Sequence, residues 1–94
     1  MRESDNDPKG AVRDAVLVLR ATLTAGISLD EAVAGDCARM AHTAETDGHW
    51  GFAKALRTLG RVRRIRILET KGKIAVLEAT YGDLLGGDRG QNEP

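Results

Sequence analysis

The chain has 94 residues, 14 Lys and Arg against 14 Asp and Glu, and a composition that is 41% apolar but only 3% aromatic. That is the size of one small domain, too short for two independent cores, so its apolar residues must be well patterned or helped by a partner subunit. A single cysteine, Cys37, excludes an internal disulfide framework and cannot by itself make a zinc site, and the longest apolar run, residues 15–19, falls far short of a membrane helix.

Residues 1–9 carry Glu3, Asp5 and Asp7 with no apolar stretch behind a basic start, so they do not read as a signal peptide. A cytoplasmic protein is expected. Both prolines lie in the polar ends, and residues 1–9 and 86–94 read as disordered tails around one domain over 10–85.

At about 100° per residue, Val12, Val16, Leu19 and Leu23 cluster on one face of a first helix, with Gly26 placed to end it as a left-handed cap. Leu17, Val18 and Ala21 form a second apolar patch, either more deeply buried or a dimer contact. Ser28 and Glu31 have capping-box spacing and predict the start of a second helix. On it Leu29, Val33, Cys37, Met40 and Ala44 share one side. Residues 45–48 break the pattern.

A third helix is predicted over residues 48–60, with Phe52, Ala55, Leu56 and Leu59 on one face and Trp50, Lys54, Arg57 and Arg61 on the opposite one. From Val62 the apolar period shortens to 2: Arg64 and Arg66 alternate with Ile65 and Ile67, and residues 74–80 are rich in β-branched and small side chains. Thr70, Lys71, Gly72 and Lys73 then read as the turn of a two-stranded hairpin.

The zero net charge conceals an asymmetry. Between Lys54 and Lys73 there are eight basic residues and one acid, Glu69, a local net charge of +7. Cys37 reads as a small buried hydrophobe. His42 and His49 lack a metal-site spacing, Ser28 is explained as a cap, and no glycine-rich phosphate loop follows a strand. No acid, base and nucleophile set assembles, so neither an enzyme nor a cofactor is expected.

Three helices followed by two strands and a basic turn resemble the winged helix-turn-helix superfamily over residues 11–81. The resemblance implies an α+β winged helix, with three helices followed by a two-stranded β-hairpin wing. It implies that the third helix, through Trp50, Lys54, Arg57 and Arg61, enters the major groove of double-stranded DNA. Arg64, Arg66, Lys71 and Lys73 would lie in the wing, along the backbone or the minor groove. The expected function is a homodimeric transcriptional regulator, and a composition rich in Ala, Gly and Arg suggests a GC-rich bacterial genome. The alternative is a winged-helix interaction module for an acidic protein partner.

Overall fold

The computed structural model describes residues 8–91, with side chains described for residues 8–85. Two helices account for them: α1 (Pro8–Thr46, 39 residues) and α2 (Trp50–Gln91, 42 residues). At 1.5 Å per residue a 42-residue helix is about 63 Å long, and the molecule measures 64 Å in its longest dimension and 16 Å in its shortest. Two helices side by side make a single layer.

What joins the helices is a repeat of alternating four- and three-residue steps. On α1 it runs through Val16, Arg20, Leu23, Ile27, Asp30, Ala34, Cys37, Ala41 and Ala44, and on α2 from Ala53, Leu56, Gly60 and Arg63 through Ile67 to Leu84. Such a spacing keeps one narrow stripe facing a partner helix, which is the pattern of a coiled coil. Cys37 lies opposite Gly60 beside the turn, and Arg13 Nε donates to the carbonyl of Leu84 at 3.1 Å near the open end. The helices are therefore antiparallel, in a register that does not slip along their length.

The reversal is local and glycine-dependent. Gly48 has a φ of +83°, its N–H donates to the Glu45 carbonyl at 3.1 Å, and the His49 N–H donates to the Ala44 carbonyl at 2.7 Å. This pair of bonds satisfies the last carbonyls of α1 as a Schellman motif does. The His49 carbonyl then accepts from Ala53 N–H at 3.0 Å and begins the bonding of α2. The predicted break at residues 45–48 falls where the chain turns.

The core lies mostly beside this turn. Ala41, Ala44, Ala53, Leu56 and Cys37 form one buried cluster, with Val33 packed against it. Small side chains let the two backbones approach closely. A Cβ built on Gly60 would lie 3.4 Å from Cys37 Cβ and 3.9 Å from the Ala34 carbonyl oxygen.

The α+β winged helix is overturned. No strand occurs among the described residues, and residues 62–80, expected to form the wing, continue α2 without interruption. Two residue pairs of alternation at Arg64–Ile67 are outweighed by a helical repeat that persists through Ile67, Thr70, Ile74 and Leu77. Gly72 has no positive φ, and neither does Gly26. The two predicted short helices before the break are one helix, so Ser28 and Glu31 do not cap an end but sit inside α1. α2 also runs to Gln91, into the segment read as a tail, while residues 1–7 and 92–94 lie outside the described residues.

Candidate interaction surfaces

Each helix of an antiparallel pair has one flank on either side of the seam. On one flank Met40 of α1 and Phe52 of α2 line the same shallow recess of about 310 Å³, together with Thr43, Ala44 and His49. Helical spacing extends that side through Val33 and Leu29 on α1 and through Ala55, Leu59 and Val62 on α2. Of the thirteen large exposed hydrophobics among the described residues, eight fall on it: Val12, Leu19, Leu29, Met40, Phe52, Leu59, Val62 and Val76. In the half beside the turn it carries two acids, Asp36, held by neighbouring Arg39, and Asp47, which lines the recess with Arg39.

The other flank is polar and basic. Lys54, Arg57, Arg61, Arg64 and Lys71 fall within an arc of about 100° on α2, all exposed. Trp50 heads the same row from the first turn of α2, 67% exposed. Arg57 is anchored across the seam, its Nε and one terminal nitrogen donating to the two Glu45 oxygens at 2.8 and 2.9 Å. That two-pronged bond, and secondarily the adjacent charges, hold the Glu45 carboxyl below its ordinary value and raise the Arg57 guanidinium.

The eight residues expected to meet DNA are thus divided by the structure. Arg66 and Lys73 stand on the apolar flank instead, and Arg66 Nε lies 3.5 Å from Asp30 Oδ2. With no wing and no separate third helix, groove reading by a winged helix is withdrawn, and with it the winged-helix transcription regulator.

Asp30 and Arg63 form a polar layer in the seam that the sequence reading did not single out. Asp30 is 2% exposed, and its Oδ1 accepts from an Arg63 terminal nitrogen at 2.7 Å. In the sequence Arg63 belongs to the basic run. Its spacing from Leu56, Gly60 and Ile67 was the available signal, because it places an arginine on the seam.

No family model, no curated protein and no solved structure matches this chain. Among the described residues no helix is long and apolar enough to cross a membrane, and no group of three or more His, Cys, Asp or Glu is placed to hold a metal ion.

Proposed function

We propose that the chain is an interaction module that acts through its surfaces, and that its apolar flank is covered by a second copy to form a four-helix bundle. The observation that carries this reading is the exposed stripe of Leu29, Met40, Phe52, Leu59 and Val62 on one flank of a single helical layer. Helices bury an apolar stripe against a second layer, and a two-helix slab supplies none.

Area supports the same conclusion. The chain exposes 6921 Å², whereas a compact folded monomer of its 10.1 kDa mass exposes about 5300 Å². The difference of about 1600 Å² exceeds the roughly 800 Å² that each partner contributes to a standard interface. A second copy fits better than a charged partner, because the half beside the turn is apolar and nearly neutral and so meets itself without repulsion. Pairing about a two-fold axis closes the assembly at two chains.

Sedimentation equilibrium tests it. The wild type is expected at twice the chain mass at micromolar concentration, and Phe52→Glu with Leu59→Glu is expected to shift it to monomer, whereas Val18→Glu on the outer surface leaves the dimer intact. A wild type that sediments as monomer up to about 100 μM overturns the proposal.

A further inference from the structure

The basic row on α2 is left open by this pairing, since it lies across the seam from the apolar flank. Its geometry points to a ligand. Five cations, Lys54, Arg57, Arg61, Arg64 and Lys71, span 18 residues, about 26 Å of straight helix from first to last, and Leu68 is the one uncharged side chain at these positions between them. Arg57 is held by Glu45, whereas among the described residues Lys54, Arg61, Arg64 and Lys71 have no hydrogen bond or ion pair. On the facing flank of α1, Glu31 and Glu45 oppose them, which leaves the row with a net charge of +3. Cations that serve the fold are spent on partners, as Arg20 is on Glu78 at 2.9 Å. These four are not.

We infer that this row binds the phosphate backbone of duplex nucleic acid without reading its bases. A packed helix holds the cations in line at fixed intervals, and arginine presents a planar fork suited to phosphate oxygens. Because α1 lies alongside, α2 meets the backbone and does not insert into a groove, so the contact is electrostatic and indifferent to sequence. A single strand is a poorer fit, since Trp50 is the one aromatic side chain in the row and bases stack on several. A lipid surface is a poorer fit as well. Interfacial helices immerse their apolar face, and here that face is turned away from the cations.

The binding reads independently of dimerisation, because sedimentation reports one and duplex affinity the other. Fluorescence anisotropy with a labelled 24-base-pair duplex of random sequence, repeated from 20 to 200 mM salt, is the measurement. Four free cations predict a log–log salt slope of about −3.6, at roughly −0.9 per phosphate neutralised. The variant Lys54→Gln, Arg61→Gln, Arg64→Gln breaks no pair in the fold and keeps helix propensity. It is expected to lower the slope to about −0.9 and to weaken affinity at least tenfold at 100 mM salt, with the helical circular dichroism signal unchanged. No duplex binding at 20 mM salt overturns the inference, as does an unchanged slope in the variant. Tighter binding to polyglutamate or to anionic vesicles than to duplex also overturns it.

Discussion

The half of the hairpin beside the turn and the half at its open end share one register, yet they are held by different means. Beside the turn Ala34, Cys37, Ala41, Ala44, Ala53 and Leu56 are buried, and the helices close on small side chains. Toward the open end Val16 and Ile67 are buried, while Leu23, Ile27, Ile74, Leu77 and Leu84 are only half covered by the opposite helix. Polar links span that half instead: Arg20 with Glu78, and Arg13 with the Leu84 carbonyl. Exposed ion pairs contribute about 0.2–1 kcal/mol each, well below the 1.5–3 kcal/mol of a fully buried large apolar side chain. A closely packed turn can hold a two-helix register, but it leaves the far half dependent on what covers its flank.

Between the two halves sits the Asp30 and Arg63 layer, and removing it is the largest perturbation expected. In Arg63→Ala the Asp30 carboxylate stays buried with only Arg66, 3.5 Å away, to offset it. Breaking a buried pair from one side destabilises by about 3 kcal/mol. The loss is expected in both halves, since both meet at this layer, and urea unfolding of the variant beside the wild type measures it. A loss below 0.5 kcal/mol would show that the layer is incidental to the register.

Gly60→Leu attacks the closed half alone. A Cβ already meets Cys37 Cβ at 3.4 Å, so the isopropyl group beyond it must push the backbones apart, at about 1–3 kcal/mol. Hydrogen exchange is expected to speed up most at Ala41, Ala44 and Ala53 and least beyond Ile74. Uniform acceleration would mean that the halves are one cooperative unit.

How much of this was legible from the residues follows from where polar and small side chains stand. The opposition of Phe52, Ala55 and Leu59 to Lys54, Arg57 and Arg61 was readable, and it persists on α2 as two flanks. Cys37 was readable as a buried small residue and is 4% exposed. The seam itself was obscured, because Arg20, Asp30, Gly60, Arg63 and Thr70 occupy positions where a core is expected to be apolar. The apolar residues that share the helix faces in the sequence point elsewhere: Val12, Leu19, Leu29 and Met40 form the exposed flank. Gly26 and Gly72 look like breaks, but in a long helix with a continuing partner stripe each costs only about 0.5–1 kcal/mol.

That last point separates the two folds experimentally. Gly72 sits in α2 with open space around its missing side chain, whereas Gly48 needs its positive φ. Gly72→Ala is therefore expected to stabilise by about 0.5–1 kcal/mol, and Gly48→Ala to destabilise by about 1 kcal/mol. Thermal unfolding of the pair checks both signs. A destabilising Gly72→Ala would restore a turn at residues 70–73 and undo the open half altogether.

The smallest effect belongs to the ion pair that flanks the turn. The two-pronged Arg57 bond holds Glu45 below its ordinary value, against the opposing effect of desolvation. A carboxylate depressed in the folded state contributes stability that is fully present above its unfolded pKa and is lost as pH falls through the folded one. The window thus opens just under the ordinary glutamate value and extends downward, and because the pair faces solvent the change is slight. Carbon NMR of the Glu45 carboxyl reads it directly: the titration midpoint is expected below that of an unstructured glutamate in the wild type and back near it in Arg57→Gln. Equal midpoints would mean that the arginine does not hold the carboxylate in solution, which would leave the turn to Gly48 and the small-residue seam alone and return Arg57 to the basic row as a fifth free cation.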